Sequence, residues 1–178
     1  MAETQNQPNN EESVVIIGTR RDDVLYGSLG HNIFYGGLGN DTFIVNNRND
    51  QIVERYDEGT DTVYTHTTYT LPNYVENLTM TGHDNIFGFG NNSDNVLIGN
   101  SGNNRLSAGR GNDVLYGGAG NDLLLAGDDD DKLYGGDSND ILRGDHGNDY
   151  LEGNEGDDVL DGGIGADVMR GGNGNDTY

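Results

Sequence analysis

The sequence predicts an all-β fold, a parallel β-roll (a β-solenoid) in which each nonapeptide forms half of one coil. Three observations predict it. A nine-residue period runs from Gly90 to the end of the chain without an insertion or a deletion. The eighth position of each unit is apolar, and the sixth position is Asp or Asn throughout. Two independent constraints with one period are typical of stacked structural repeats.

The repeats fall into two blocks. In the second block, units begin at Gly90, Gly99, Ala108, Gly117, Ala126, Gly135, Gly144, Gly153, Gly162 and Gly171. The first block has units at Gly18, Gly27 and Gly36, and a decayed unit at Val45. We therefore expect the same coil geometry in both blocks.

The eighth position predicts the core. Its residues are Leu25, Phe34, Phe43, Ile52, Leu97, Leu106, Leu115, Leu124, Leu133, Leu142, Leu151, Leu160 and Met169. Each nonapeptide divides into a six-residue turn and a three-residue strand, because glycine permits positive φ in the turn and x-U-x alternates between two faces. Two units make one coil, and successive coils stack at about 4.8 Å, so these side chains form a narrow ladder between two parallel sheets.

Composition alone favours a disordered linker, and the period overrules it. The 178 residues, enough for one ordinary domain, include 30 glycines and only 32% hydrophobic residues. The 31 acidic side chains outnumber the 9 basic ones, giving a formal net charge of −22. Such a chain needs a bound cation to fold compactly, and it lacks the basic patches that nucleic acids or anionic membranes require. We therefore expect neither nucleic acid binding nor membrane insertion.

The sixth position predicts the ligands of that cation. Carboxylates beside the carbonyl oxygens of Gly-rich turns suit a hard cation such as Ca²⁺, which takes 6 to 8 oxygens at about 2.3–2.6 Å. The units, as in GGAGNDLLL from Gly117, closely resemble the calcium-binding nonapeptide G-G-x-G-x-D-x-U-x of the RTX (repeats-in-toxin) family. The resemblance covers about residues 18–53 and 90–178 and implies a serralysin-like parallel β-roll.

The resemblance further implies that each ion lies between turns of adjacent coils, held by turn carbonyls and by the sixth-position Asp of units n and n+2. One edge then carries Asp113, Asp131, Asp149 and Asp167, and the other carries Asp122, Asp140, Asp158 and Asp176. In the first block, Asp23 and Asp41 would share one ion. We expect roughly six to eight calcium ions in all, and without them a largely unfolded chain.

Some positions depart from this pattern. Sites that would use the neutral Asn95 or Asn104 are doubtful, as is one pairing Asn32 with Asp50. Asp129 and Ser138 replace the fourth-position glycine, and we expect them to distort their turns. Asp128, Asp130 and Asp157 are interpreted as solvated surface charges.

The period also divides the chain. Residues 1–13 form a polar tail, 14–53 the first repeat block, 54–89 a non-canonical connecting segment and 90–178 the second array. Alternating Thr, Tyr and Val predict that 54–89 adds coils with longer loops to one continuous solenoid; two separate rolls are the alternative. The opening residues carry neither a signal peptide nor a membrane span. The β-prone run 14–17 would dock on a neighbour's open end, giving end-to-end assembly.

No catalytic constellation is evident. The four histidines are isolated, and no G-x-S-x-G, G-x-G-x-x-G or H-E-x-x-H motif occurs. We therefore predict a non-enzymatic, secreted structural protein of a bacterial cell surface or exterior, assembling into a filament or surface layer in calcium. A folding and secretion module from a larger RTX toxin, hydrolase or adhesin is the alternative. RTX proteins generally use a type I secretion route, so the chain would fold outside the cell.

Overall fold

The structure, a computed structural model, describes residues 13–178 and consists of eighteen short strands, two for each coil of a stacked solenoid. The strands are β1 (Val14–Ile17), β2 (Val24–Tyr26), β3 (Asn32–Tyr35), β4 (Thr42–Val45), β5 (Gln51–Val53), β6 (Thr62–Thr65), β7 (Tyr69–Thr70), β8 (Asn77–Met80), β9 (Phe87–Phe89), β10 (Val96–Ile98), β11 (Arg105–Arg110), β12 (Val114–Ala119), β13 (Leu123–Asp128), β14 (Lys132–Asp137), β15 (Ile141–His146), β16 (Tyr150–Glu155), β17 (Val159–Ile164) and β18 (Val168–Asn173). The predicted all-β parallel β-solenoid is thereby confirmed.

The even-numbered strands form one continuous face. They make a nine-stranded sheet in the order β18-β16-β14-β12-β10-β8-β6-β4-β2, with every pairing parallel. In the array the register is one coil of two units, so Leu115 pairs with Leu133. The sheet runs unbroken through the segment 54–89, where Val63 pairs with both Phe43 and Leu78. The segment therefore contributes coils to the same stack.

The odd-numbered strands form a face with one interruption. They make a three-stranded sheet, β1-β3-β5, and a six-stranded sheet, β17-β15-β13-β11-β9-β7. Between β5 and β7 lies a groove of about 500 Å³ lined by residues 48–53, 68–70 and 72. Tyr69 is buried there, and its hydroxyl donates to the Asp50 carbonyl at 3.2 Å. A side chain thus replaces backbone pairing at this point.

The core is a narrow ladder of side chains between the two faces. The eighth-position residues from Leu97 to Leu160 are 0–1% exposed, and the chain's short strands bury alternate residues as predicted. In the first block Phe34 and Phe43 meet edge to face with ring centroids 5.7 Å apart. Among residues 13–178, no helix has the length and hydropathy needed to cross a membrane.

The distortion expected at Asp129 and Ser138 does not occur. Both residues adopt the left-handed conformation of the glycine they replace, with φ of 86° and 81°. Asp131, in the same turn as Asp129, still donates its amide to Asp149 Oδ1 at 2.9 Å. The substitutions therefore cost local backbone strain but leave the turn geometry intact.

The structure describes only part of the N-terminal region for which a polar tail and a β-prone run were predicted. Residues 1–12 of the predicted polar tail lie outside the described residues. The β-prone run forms β1, which pairs in parallel with β3 of its own chain, as in Val15 with Ile33. Among the described residues β1 is therefore the first strand of the three-stranded sheet.

The ladder predicts a large effect of truncating one rung. Leu124→Ala removes a side chain with 0% exposure, so we expect the free energy of unfolding in saturating calcium to fall by about 2–5 kcal/mol. Leu29→Ala is the matched control, because Leu29 is 92% exposed and its loss should change stability by less than about 0.5 kcal/mol. Urea unfolding followed by circular dichroism measures both. Equal effects would contradict the assignment of the core.

Candidate metal sites

The sixth-position aspartates are joined along each edge by hydrogen bonds between successive coils. Oδ1 of Asp131 accepts the backbone N–H of Asp113 at 2.7 Å, and Oδ1 of Asp140 accepts that of Asp122 at 2.7 Å. In the same way the backbone N–H of the first residue donates to Oδ1 of the second in five further pairs: Asp23 and Asp41, Asp131 and Asp149, Asp149 and Asp167, Asp140 and Asp158, and Asp158 and Asp176. The structure thus brings the predicted site residues together as two rows, in the n, n+2 order.

The second carboxylate oxygen is what makes these rows unusual. Seven aspartate Oδ2 atoms are buried and have no hydrogen-bond partner among residues 13–178: those of Asp41, Asp113, Asp122, Asp131, Asp140, Asp149 and Asp158. The seven residues are between 1% and 3% exposed. An ionised carboxylate in this state carries a large desolvation cost unless a proton or a cation compensates it.

Four of these free oxygens, those of Asp122, Asp140, Asp149 and Asp158, face a carbonyl oxygen across a small space kept open by glycine. In the units of Asp113 and Asp131 the corresponding first residue is Ala108 or Ala126. A Cβ atom placed on Gly117 would lie 2.5 Å from Asp122 Oδ2 and 2.5 Å from the Gly135 carbonyl oxygen. The arrangement repeats at the first residue of later units, where Gly135 borders Asp140 and Gly144 borders Asp149. A carboxylate and a carbonyl oxygen at one cradle are ligands that a hard cation prefers. The donor set therefore fits Ca²⁺.

Comparison of the sequence with models of known protein families identifies the family of these repeats. The profile for the RTX calcium-binding nonapeptide repeat matches four times, at residues 15–43, 89–124, 116–151 and 143–178. The chain belongs to the RTX calcium-binding nonapeptide repeat family. The resemblance predicted from the sequence is confirmed, and RTX nonapeptide repeats bind Ca²⁺. A search of curated proteins finds no match to this chain.

Burial changes the acidity of the RTX aspartates. Desolvation raises the pKa of Asp122 to about 6, of Asp113 and Asp140 to about 7, and of Asp131 to about 8. The backbone N–H bond to each carboxylate opposes this rise, and neighbouring carboxylates add to it in three of the four. Without a cation these groups bind protons near neutral pH.

Asparagine at the sixth position behaves differently. Oδ1 of Asn95 accepts the Asn91 amide at 2.7 Å, and its Nδ2 donates to the Glu76 carbonyl at 3.1 Å. Asn104 is bonded in the same way, with Oδ1 accepting the Asn100 amide at 2.7 Å. An amide satisfies itself inside the turn, because it carries both donors and an acceptor. Among the described residues, neither asparagine leaves a buried polar side-chain atom without a hydrogen-bond partner, so these side chains do not require a cation.

Three of the predicted site residues, Asp23, Asp167 and Asp176, have less need of a cation, because their carboxylates are hydrogen-bonded or partly exposed. Oδ2 of Asp23 accepts hydrogen bonds from the amide and the hydroxyl of Thr19 at 2.6 and 2.7 Å. Asp167 and Asp176 are only half-buried in the last coil, although their Oδ1 atoms accept coil-to-coil bonds at 3.0 Å. Asp50 resembles Asp23, since its Oδ2 accepts the Asn46 and Asn47 amides.

Sequence reasoning missed three acidic residues of the connecting segment. The ladder continues from Asp41, whose amide donates to Asp61 Oδ1 at 2.7 Å, to Glu76, whose Oε2 accepts the Asp61 amide at 2.9 Å. Glu54 is 7% exposed and its Oε2 has no partner among the described residues. Burial raises the pKa of Glu54 to about 7 and of Asp61 to about 6. Continuing the nine-residue count past Val45 would have placed Glu54 at a first position.

The fifth position carries a second, exposed ladder. Oδ1 of Asp130 accepts the Asn148 amide at 2.7 Å, and Oδ1 of Asp157 accepts the Asn175 amide at 2.8 Å. These bonds run in the opposite direction to those of the sixth position, because the acceptor belongs to the earlier coil. Asp130 and Asp157 are thus exposed charges that also cross-link coils, whereas Asp128 pairs with Arg110 at 3.3 Å.

Side chains alone do not provide enough ligands for a metal ion at these cradles. Within residues 13–178, no group of three or more His, Cys, Asp or Glu side chains is arranged to hold a metal ion. Any ion at a cradle would therefore be coordinated largely by main-chain carbonyl oxygens, with one or two carboxylates. Calcium accepts such mixed oxygen sets, and the Gly-rich turns provide them.

The raised pKa values predict that acid partly replaces calcium. A carboxyl group whose pKa is raised on folding stabilises the fold below its unfolded pKa of about 4, and that stability is lost as pH rises through the folded pKa. In chelator, we therefore expect β structure to increase as pH falls from about 8 to about 4, since the folded pKa of Asp131 is about 8.

Far-UV circular dichroism against pH, in excess chelator, measures this effect. Asp131→Asn is the informative variant, because it removes one of the shifted groups and should weaken the dependence above about pH 6. A chelated chain whose β structure does not change, or decreases, between pH 8 and 4 would contradict the prediction.

Proposed function

We propose that this RTX chain is a secreted structural protein that folds into its β-roll when calcium binds between the coils. The observation that carries the proposal is the set of seven buried Oδ2 atoms without a partner among residues 13–178. Four of them, those of Asp122, Asp140, Asp149 and Asp158, lie beside a carbonyl oxygen at a glycine cradle. A divalent cation compensates this charge without disturbing the hydrogen bonds of Oδ1. The function is therefore located in the turns rather than in a pocket.

We assign the ion ligands to the sixth-position aspartates and to the carbonyls of first-position residues. The assigned aspartates are Asp23, Asp41, Asp113, Asp122, Asp131, Asp140, Asp149, Asp158, Asp167 and Asp176. The seven with an unpartnered Oδ2 form the strongest sites. Asp23, Asp167 and Asp176 form weaker ones, because they are satisfied by Thr19 or half exposed. This supports a total of roughly six to eight ions.

Charge balance supports the coupling of folding to calcium. Roughly six to eight calcium ions bring about 12 to 16 positive charges, which offset more than half of the formal −22. Without them, the repulsion between carboxylates held close in successive turns opposes the stabilisation supplied by a narrow apolar core. The calcium-free chain should therefore be largely unfolded, as in other proteins whose metal-binding energy contributes to folding.

This coupling supports a location outside the cell. Extracellular calcium modules have dissociation constants of about 10⁻⁴–10⁻³ M, a range that cytosolic calcium does not fill. RTX repeats are typical of secreted bacterial proteins, and we place this chain in the exterior or at the cell surface of a bacterium, exported unfolded by a type I route. The β-roll of RTX repeats is a structural fold and is not catalytic by itself. The acidic surface does not suit nucleic acids or membrane insertion.

We further propose that rolls associate end to end into a filament or surface layer. The first strand of the described residues leaves Val15 54% exposed and Ile17 72% exposed. At the other end of the stack, Ile164 is 69% and Val168 48% exposed. Parallel strands with unpaired edges accept further strands, and apolar side chains favour that contact over solvent. A second copy of the chain has both features.

Removing one ligand charge should weaken calcium-dependent folding. Asp140→Asn replaces the free Oδ2 by a donor, so we expect the calcium midpoint of folding, followed by circular dichroism, to rise several-fold. Asp137→Asn is the matched control: it removes the same charge from the exposed end of β14 and should leave the midpoint almost unchanged. Equal shifts would show that net charge, rather than the cradle, governs calcium binding.

End-to-end assembly makes a separate prediction. In millimolar calcium, light scattering should show particles much larger than a 19.2 kDa monomer, and Val15→Lys should abolish them by placing a charge on β1. Ile98→Lys, at a residue 37% exposed midway along the stack, should not. A calcium-loaded chain that stays monomeric would contradict assembly and favour the folding and secretion module of a larger RTX protein.

A further inference from the structure

The cradle at Gly36 differs from those of the array. A Cβ atom placed on Gly36 would collide with Asp41 Oδ2 and with Oε1 of Glu54, whereas one placed on Gly117 would meet Asp122 Oδ2 and a backbone carbonyl. The carboxylate of Glu54 thus takes the place of the carbonyl oxygen found at a repeat cradle. Both side chains reach the same small space from different coils.

Both carboxylates are anchored by one oxygen and free at the other. Oε1 of Glu54 accepts the Gly36 amide at 2.8 Å, and Oδ1 of Asp41 accepts the Asp23 amide at 2.8 Å. Oε2 of Glu54 and Oδ2 of Asp41 are buried without a partner in the described part of the chain. The residues are 7% and 1% exposed, respectively.

In the described part of the chain, no basic side chain forms an ion pair with either carboxylate. None of the ion pairs found in residues 13–178 includes Glu54 or Asp41. Asp61 lies on the same edge, with its Oδ1 bound to the Asp41 amide at 2.7 Å, and adds further negative charge. Two anchored, desolvated carboxylates with free oxygens require a cation more strongly than a single one does.

The pair also occupies a structural junction. Glu54 follows directly after β5, the last strand of the three-stranded sheet, and the odd-numbered face is interrupted beyond it. Asp41 precedes β4, which belongs to the continuous nine-stranded sheet. A cation held by both would connect the two faces of the solenoid where backbone pairing fails on one of them.

We propose that Asp41 and Glu54 form a calcium site of different composition from the repeat sites, which binds Ca²⁺ more tightly and fills first. This inference rests on the proposed calcium function. Calcium affinity rises with the number of charged ligands and with the rigidity of the site, and this cradle has two anchored carboxylates where a repeat cradle has one carboxylate and a carbonyl. The first ion therefore orders the junction between the first repeat block and the segment 54–89.

Calcium binding to the full chain, measured by isothermal titration calorimetry in chelator-buffered calcium, tests the site. We expect one ion to bind at a free calcium concentration at least about tenfold below that needed by the others. Glu54→Gln should remove this tight class and leave the weaker ions. Glu58→Gln is the control, because it removes the same charge from the same segment without touching the cradle, and it should keep the tight class.

Glu54→Gly is the second variant, because it restores the residue type usual at the first position of a unit. It should fold in saturating calcium, checked by circular dichroism, with the ion of this site moved into the weaker class. If the wild-type chain binds calcium in a single class, or if Glu54→Gln and Glu54→Gly keep the tight ion, the inference is wrong while the proposed function stands. A wild-type chain that binds no calcium would overturn both.

Discussion

The structure depends on the burial of carboxylate oxygens that the protein itself does not neutralise. From Asp113 to Asp158 each coil buries one aspartate at each edge, and in the coils after the first of these Oδ1 of that aspartate accepts a hydrogen bond from the preceding coil. The same geometry that provides this bond places Oδ2 where no donor of residues 13–178 reaches it. The fold therefore acquires coil-to-coil order together with an electrostatic cost, and a bound cation converts that cost into stability.

The other features follow from this constraint. A narrow core limits hydrophobic stabilisation, so the turns must contribute, and they can do so only if their carbonyl oxygens approach the carboxylates closely. Glycine favours that approach, since a Cβ atom on Gly117 would lie 2.5 Å from both Asp122 Oδ2 and the Gly135 carbonyl oxygen, although Ala108 and Ala126 occupy the same position in two units. Composition that would ordinarily indicate disorder is thus the composition that an ion-bound turn requires.

The fold was largely predictable because the period encodes it directly. The apolar eighth position specifies the ladder from Leu97 to Leu160, and the spacing of two units specifies the parallel register. Turn conformation was less predictable: Asp129 has φ of 86° and keeps the turn that its side chain was expected to distort. A residue with a short polar side chain can adopt the left-handed region at a modest cost, which sequence pattern does not reveal.

The connecting segment marks the limit of period-based prediction. There the coil lengths change, so that Thr42 pairs with Thr62 and Thr62 with Asn77 rather than with residues two units away. Asp61 and Glu76 consequently continue the ladder from positions that no nine-residue count reaches. The structural role of exposed residues was also underestimated. Asp130 was interpreted as a solvated charge, but it accepts a hydrogen bond from the Asn148 amide of the next coil, a contact that depends on how the coils stack.

A crystal structure of the calcium-loaded protein, with anomalous data that locate calcium, tests the central claim most directly. We predict calcium peaks in two rows, each beside the Oδ2 atom of a sixth-position aspartate and a first-position carbonyl, as at Asp122 and Gly135. A folded roll with these cradles empty, or with calcium only on the exposed fifth-position carboxylates such as Asp130 and Asp157, would contradict the account.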